Sequence, residues 1–302
     1  MLLKKGGRGL VLYYALAFLA AIGCAVNFVF TKIYQLEEGN TFEAGAVFNC
    51  LVGFFGAVIY FFICGGKVEI TWFSLLMASL FTLLLGLYTI IGFKIMSMGD
   101  VSVYTIFLML GGMILPYFYG LIFLNEKITV LTATSLIMMS AAIILQNGRA
   151  EKKANSLFYI LCIAVFVLNG GTSIVSKVHQ IGYGFETVSS NEFIFLRNIS
   201  RFVMFGLMIP FVKKRKKSIF KMKPMMYVLI IGSALVSSVS GVLQLECAKP
   251  GRLPATVQFP VISGGTIIFS AIFGFILFKE KISKKQAFCL ALCLASTIIF
   301  VM

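Results

Sequence analysis

Long apolar stretches alternate with short polar links along the whole chain. A membrane-spanning helix needs about 20 consecutive, mainly apolar residues, and charged clusters and Gly/Pro turns separate ten stretches of roughly this size. The predicted spans are Leu10–Lys32, Thr41–Cys64, Thr71–Met96, Val101–Leu124, Ile128–Gln146, Leu157–Lys177, Asn191–Val212, Met225–Cys247, Leu253–Phe278 and Lys285–Met302. We therefore expect an all-α membrane protein with ten transmembrane helices.

Two pairs of similar segments indicate that the chain is internally duplicated. Residues 120–129 read GLIFLNEKIT and residues 274–283 read GFILFKEKIS, with five of the first nine positions identical. A weaker pair is Asn27–Lys32 (NFVFTK) and Thr172–Lys177 (TSIVSK). The offsets of the two pairs are 154 and 145 residues, and recurrence of this kind is the sequence mark of structural repeats.

The polar segment between the fifth and sixth spans divides the chain into two repeats, residues 1–148 and residues 149–302. Each repeat carries five predicted spans. Because five is odd, a tandem copy enters the membrane from the opposite face, and the two repeats are expected to be inverted. Inverted repeats place a substrate site near the middle of the bilayer, where the halves meet.

Composition leaves lipid as the only suitable solvent for this chain. Hydrophobic residues make up 60% and charged residues only 12%, against about 25% charged in soluble domains. The net charge of +15 would also be typical of a nucleic-acid-binding protein. In this chain, however, the basic residues cluster in short links, for example at Lys213–Lys217. Such clusters set membrane topology and contact anionic lipid head groups. We expect membrane lipids as partners and no nucleic acid.

The repeated junction motif at the end of the fourth and ninth spans resembles that of the EamA family, within the drug/metabolite transporter superfamily. The resemblance covers almost the whole chain as five plus five spans. It implies a secondary active transporter in a cell membrane, that of a bacterium. Such a protein would export a small metabolite, amino-acid-like or drug-like, by alternating access. A flippase for a lipid-linked head group is the alternative within the superfamily.

The distribution of Lys and Arg disagrees with the orientation that the resemblance implies. Family members keep both termini in the cytoplasm. In this chain the links on the opposite side from the termini carry most of the Lys and Arg residues. The positive-inside rule then favours external termini. Either the protein is flipped relative to the family, or one span is miscounted.

Two arginines in the seventh span are the clearest functional candidates. A charge near the bilayer centre costs roughly 2.5–3.5 kcal/mol or more. Arg197 and Arg201 are four residues apart and share one helix face. Arg197 can either line a cavity or extend to the interface and pair with Glu192. Arg201 lies deeper and is expected to line the cavity, where a guanidinium suits a carboxylate or a phosphate.

Glu246, at the end of the eighth span, has two readings. It is either a counter-ion of Arg201 and a proton-coupling carboxylate, or an interfacial residue beside Lys249. Lys32 and Lys177 end corresponding spans. They either compensate the helix dipole and extend to the interface, or form a pair of gating residues.

Uncharged polar residues complete the predicted cavity. The substrate-binding residues expected besides the arginines and Glu246 are Asn27, Thr172, Tyr88, Tyr104, Gln244 and Gln258, with Asn49 and Asn169 as further candidates. Glycine pairs and prolines (Gly111, Gly112, Pro116, Pro260, Gly264 and Gly265) mark the fourth and ninth spans as a moving pair or as closely packed helices. Glu126 and Glu280, in the junction motifs, are expected to cap the helix that follows each of them.

Several classes of function lack their residues in this sequence. The single histidine, His179, is expected in a loop, whereas HExxH proteases and histidine-box enzymes need more imidazoles. The seven cysteines form no CxxC pair, so we expect no metal site and no disulfide framework. No phosphate-binding loop is present, so we expect gradient-driven transport with no cofactor rather than an enzyme. A passive channel remains an alternative function. The sequence fits a monomer or a homodimer.

Overall fold

The computed structural model describes residues 3–39, 41–98, 101–147, 156–211, 222–279 and 283–301. This part of the chain is all-helical, with ten α-helices, one short 3-10 turn (Ile209–Phe211) and no strand. The helices are α1 (Leu3–Glu38), α2 (Phe42–Ile63), α3 (Trp72–Met98), α4 (Val101–Phe123), α5 (Val130–Asn147), α6 (Ser156–Ile181), α7 (Ser190–Met208), α8 (Pro224–Ala248), α9 (Ala255–Phe278) and α10 (Lys284–Val301). Each predicted span corresponds to one of them. The basic block at 213–221 and Glu280 lie outside the described residues.

Eight of the described helices are long and apolar enough to cross a membrane, which makes the chain a multi-pass membrane protein. The sequence predicted ten such spans, but α5 and α7 do not meet the criterion of length and apolar character. The apolar part of α5 runs only over Val130–Leu145. Helix α7 has 19 residues and carries three charged side chains, Glu192, Arg197 and Arg201. Its polar face is covered by other helices, because α7 packs against α2 and α3.

Hydroxyl side chains begin the second helix of each half. Thr41 precedes α2 and accepts a hydrogen bond from the backbone N–H of Ala44. Ser189 precedes α7 and accepts one from Glu192, whose carboxylate in turn accepts from the backbone N–H of Ser189. Such caps satisfy backbone donors that have no partner in the first helical turn. Both links therefore end at a defined residue.

The repeated junction motif ends α4 and α9 in the same way. Asn125 and Lys279 occupy equivalent motif positions, and both have left-handed backbone conformations, with φ of 51° and 54°. The backbone N–H of Glu126 bonds to the carbonyl of Gly120, and that of Lys279 bonds to the carbonyl of Gly274. A left-handed residue, with a bond back to the last turn from its own N–H or from the next N–H, is a common helix stop. The shared sequence thus encodes a shared helix terminus.

Glu126 caps a helix, but not the one predicted from the sequence. Its two carboxylate oxygens accept the backbone N–H groups of Ala255 at 2.7 Å and Thr256 at 2.8 Å, the first residues of α9. The link before α5 is instead held by Thr129 and Thr132. The expectation that Glu126 caps the following helix was therefore wrong. Its partner is the helix of the other half that starts at the same face of the bundle.

Glycines bring helices of the two halves into backbone contact. A Cβ atom at Gly111 in α4 would lie 2.2 Å from the carbonyl oxygen of Phe166 in α6. A Cβ atom at Gly53 in α2 would lie 2.6 Å from the backbone nitrogen of Phe202 in α7. Only glycine allows such close approach, which is how small residues support helix packing in membranes. Gly265 likewise faces Ala21 of α1, where an added Cβ would approach to 2.8 Å.

Polar contacts between links define two opposite faces of the bundle. Lys223, before α8, forms an ion pair of 2.6 Å with Glu37 at the end of α1, on what we term the Glu37 face. On the other side, Glu192 accepts the backbone N–H of Glu69, and Ser190 donates to Glu246. These contacts, with that of Glu126 to α9, place the α2–α3, α4–α5, α6–α7 and α8–α9 links on the second side, the Glu246 face. The chain therefore alternates between the two faces.

Candidate functional site

A polar cavity of about 430 Å³ lies at the centre of the bundle. Helices α1, α2, α3, α6, α7, α8 and α9 contribute to its wall, whereas the described parts of α4, α5 and α10 do not. Its polar lining is Asn27, Thr31, Asn49, Thr82, Tyr88, Thr89, Asn169, Thr172, Ser173, Ser176, Arg197, Asn198, Arg201, Ser237, Gln244 and Gln258. A space of this size suits a small molecule.

Arg201 is held in the cavity wall by an amide. Its Nε and Nη2 atoms both donate to Oδ1 of Asn49 in α2, at 3.1 Å and 2.5 Å. These bonds fix the plane of the guanidinium but do not neutralise its charge, because the amide oxygen is uncharged. Among the described residues no carboxylate lies within 4 Å of Arg201.

Arg197 lies one helical turn before Arg201 and rests on an aromatic ring. Its guanidinium carbon is 3.4 Å from the centroid of the Phe81 ring in α3. Stacking of this kind stabilises a cation by about 0.5–2 kcal/mol, which is less than burial of an unpaired charge costs. Within the described chain Arg197 has no ion-pair partner, and Glu192 instead bonds to Ser189 and Glu69. The pairing of Arg197 with Glu192 was therefore a wrong reading.

Seven of the nine predicted site residues line this one cavity. They come from six helices and are Asn27, Tyr88, Thr172, Arg197, Arg201, Gln244 and Gln258. Tyr104 lies elsewhere, in a second cavity of about 240 Å³ that shares Thr31, Phe48, Asn49, Tyr88 and Thr89 with the first. The second cavity reaches Gly39 and Thr41 in the α1–α2 link. Together the two cavities form a path from the centre of the bundle to the Glu37 face.

Glu246 is the predicted site residue that lies outside both cavities. Its carboxylate accepts hydrogen bonds from Ser190 and Lys249, each at 2.6 Å, and from Arg252. It is therefore not the counter-ion of Arg201. Its surroundings agree with the other interpretation, which placed it beside Lys249. The cluster joins the start of α7 to the α8–α9 link at the Glu246 face.

The two lysines that end corresponding spans have different surroundings. Lys177 is only 4% exposed, and its ammonium group donates to the carbonyl of Leu253 at 3.0 Å. It does not extend to the interface, contrary to one of its two readings. The ammonium group of Lys32 lies 4.2 Å from the centroid of the Phe278 ring in α9. Lys177 therefore contacts the segment just before α9, and Lys32 contacts the last residue of α9.

The glycine and proline positions divide between packing and the site. The close contacts of Gly111 agree with a packing role for α4, whose described residues contribute only Tyr104 to the two cavities. Helix α9 contributes Gln258 and Phe259 to the central wall, just before Pro260. The two helices with this glycine and proline pattern therefore differ: α4 packs closely against α6, and α9 lines the central cavity.

His179 lies within α6 and not in a loop as predicted. It is fully buried and stacks on Phe193, with the ring centroids 3.6 Å apart. Its Nε2 atom lies 2.9 Å from Oγ of Ser74, and that hydroxyl also accepts the backbone N–H of Val188. Ser74 is itself 0% exposed. This Ser–His pair therefore ties the beginning of α3 to the end of α6.

Several cavity residues were not predicted, and a local signal could have found two of them. Thr31 and Ser176 line the wall and stand four residues after Asn27 and Thr172 in the weaker repeated segment. Residues four apart share one face of a helix, so each pair belongs to the same surface. Phe81, in contrast, resembles the many other phenylalanines of the chain, and no sequence signal distinguishes it.

Comparison with known proteins finds a similar fold in a solved structure. That structure, described only as "Crystal structure of protein", superposes with a TM-score of 0.73 over 95% of each chain at 11% sequence identity. At this identity the likeness concerns the fold alone. No family model matches the chain, and no curated protein matches it.

Proposed function

We propose that the protein is a secondary transporter that moves a small organic solute across the membrane by alternating access. The observation that carries this proposal is the central polar cavity. It holds two arginines that have no ion-pair partner among the described residues. An uncompensated charge inside a membrane protein is costly and marks a ligand pathway by default. The solute would supply the missing negative charge, with Arg201 as its principal anchor.

The pattern of helix contacts supports two inverted repeats, residues 1–148 and 149–302. Exchanging each helix for the one five positions later converts the α1–α8 and α1–α9 contacts into the α6–α3 and α6–α4 contacts, all of which occur. The α2–α7, α4–α9 and α5–α10 contacts map onto themselves. Such a pattern is what an approximate twofold axis produces. Because α1 ends at the Glu37 face and α6 ends at the Glu246 face, that axis would lie in the membrane plane. The two halves can then exchange conformations and open the site to either side.

Unequal access from the two faces also supports alternating access. The second cavity connects the centre with the Glu37 face. On the opposite face, where the Glu246 cluster lies, no residue of the described links lines either cavity. If the basic links face the cytoplasm, as the positive-inside rule favours, this path opens to the cytoplasm, as expected for an exporter about to load its solute. The other state would require the Glu246 cluster to separate.

Counterflow in proteoliposomes tests this proposal. A carrier accelerates uptake of labelled solute when unlabelled solute is present inside, and a channel does not. Ligands are found first by thermal shift, since a ligand at 100 times its Kd adds about 2.7 kcal/mol of stability. Arg201→Gln should weaken solute affinity about ten- to hundredfold, because a hydrogen bond to a charged group contributes about 1.5–3 kcal/mol. Uptake that shows no saturation and no counterflow would contradict the proposal.

The matched control removes a charge far from the cavity. Lys67, in the α2–α3 link, is exposed, so Lys67→Gln should leave counterflow unchanged. Proton coupling is a separate hypothesis, motivated by Glu246 alone. Because the structure places that carboxylate in ion pairs with Lys249 and Arg252 and outside both cavities, it lends proton coupling no support. Uptake that ignores an imposed proton gradient would remove this hypothesis while leaving the carrier proposal intact.

A further inference from the structure

The charge of the central cavity is one-sided. Its lining holds two guanidinium groups, from Arg197 and Arg201, and no Asp, Glu, Lys or His side chain among the described residues. The remaining polar groups are amides and hydroxyls, which are neutral. The described wall therefore carries two positive charges with no compensating negative charge. We propose that the cavity binds a small organic dianion; that this dianion is transported rests on the function proposed above.

Both guanidiniums keep donors free for such a ligand. Arg201 uses Nε and Nη2 on Asn49 and leaves Nη1 without a partner among the described residues. The guanidinium carbon of Arg197 lies over the Phe81 ring, and its guanidinium N–H groups donate to no described residue. Four residues of helix separate the two by a rise of about 6 Å. Two anionic groups of one ligand, or the oxygens of one phosphate, can thus meet one guanidinium each.

The same wall disfavours amines. An ammonium group needs anionic or several aligned acceptors to leave water, and the described cavity lining offers no carboxylate. Two resident positive charges would also repel it. An amino acid would therefore bind through its carboxylate alone, and a cationic drug would have no partner. The cavity should therefore prefer a dianion to a zwitterionic solute, although the fold itself could accommodate either.

Gln258 adds an acceptor for a hydroxyl of the ligand. The side chain is fully buried at the cavity wall, and its amide nitrogen donates to the carbonyl of Gln244 at 2.7 Å. Its Oε1 atom has no hydrogen-bond partner among the described residues. A buried acceptor without a partner costs about 1–3 kcal/mol, and a ligand hydroxyl would remove this cost. A phosphate monoester or a dicarboxylate is the dianion chemistry that fits the two arginines, and a hydroxyl group on either would also pair with Gln258.

Thermal unfolding of the purified full chain tests the inference with five probes. These are glycerol 3-phosphate and succinate as dianions, lactate as a monoanion, alanine as a zwitterion and putrescine as a cation, with sodium chloride as a reference. At least one dianion should bind roughly tenfold or more tightly than lactate, since each additional charge-assisted contact adds about that factor. Binding of glycerol 3-phosphate alone would indicate a phosphate monoester, and binding of succinate alone a dicarboxylate. Equal stabilisation by alanine, putrescine or chloride would overturn the inference.

Variants connect the preference to the two arginines. Arg197→Gln and Arg201→Gln should each reduce the preference for dianion over monoanion roughly tenfold, whereas Lys67→Gln should not change it. If the glutamine variants do not fold, competition by chloride in the unaltered protein still decides, because it should weaken dianion binding more steeply than lactate binding. Dianion binding without counterflow would contradict transport only. Counterflow of alanine without dianion binding would contradict this inference only.

Discussion

Replacing Glu126 by glutamine tests how the two halves of the chain are joined at the Glu246 face. The carboxylate in the α4–α5 link accepts two backbone N–H groups at the start of α9, at 2.7 Å and 2.8 Å. Glutamine has a single acceptor oxygen, and its NH₂ group would face the second N–H. Glu126→Gln therefore removes one hydrogen bond, leaves a backbone donor unpaired and deletes the charge beside a helix N-terminus.

The cost follows from these contacts. A hydrogen bond to a charged group contributes about 1.5–3 kcal/mol, and a negative charge at a helix N-terminus about 0.3–1 kcal/mol. Glu126 is partly exposed, so water can replace part of what is lost. We expect Glu126→Gln to lower the free energy of unfolding by about 1.5–2.5 kcal/mol, and Glu126→Ala to lower it further because both bonds are lost.

Equilibrium unfolding in mixed micelles measures this change, and the neighbouring Lys127 provides the control. Lys127 is exposed, so Lys127→Gln should change stability by less than about 0.5 kcal/mol. Gly120→Ala perturbs the same contact from another side, because its added Cβ would lie 2.5 Å from Oε2 of Glu126. The double variant should therefore lose less than the sum of the two single changes.

A result in which Glu126→Gln and Lys127→Gln are equally stable would refute the reasoning. The carboxylate would then contribute nothing beyond what water offers to the first turn of α9. Strict additivity with Gly120→Ala would contradict the contact geometry in a second way, since independent sites add and sites in contact do not.

Two further predictions concern packing and buried hydrogen bonds. Gly111→Ala should greatly reduce the folded fraction recovered in detergent, because the added Cβ would lie 2.2 Å from the Phe166 backbone. Gly206→Ala is the control and should be tolerated, because its nearest atom would lie 3.7 Å away. Equal recovery of the two variants would contradict the close α4–α6 contact. His179→Phe keeps a flat ring but loses the bond to Ser74. Thermal unfolding should therefore show a loss of about 1–3 kcal/mol in stability, and ligand affinity should not change. A lower ligand affinity would show that this pair acts on the cavity.

The sequence was sufficient for the parts of the structure that depend on the solvent and the backbone. The length of an apolar run determines whether a helix can cross a bilayer, so the positions of all ten helices could be predicted. Helix-ending motifs are similarly local, and the repeated junction forms the same left-handed stop at Asn125 and Lys279. The arginines of α7 stood out because charge within an apolar helix is expensive.

The partners of the polar side chains depended on tertiary structure. Lipid tails and protein interiors are similarly apolar, so the sequence of a span does not reveal which of its faces meets lipid and which meets another helix. Glu126 was therefore assigned to the helix next to it in sequence, although it caps a helix more than 120 residues away. Glu246 likewise bonds to Ser190 of α7 rather than to Arg201. Hydrogen bonds and ion pairs act over a few ångströms of space, and only the packed bundle brings such distant residues that close.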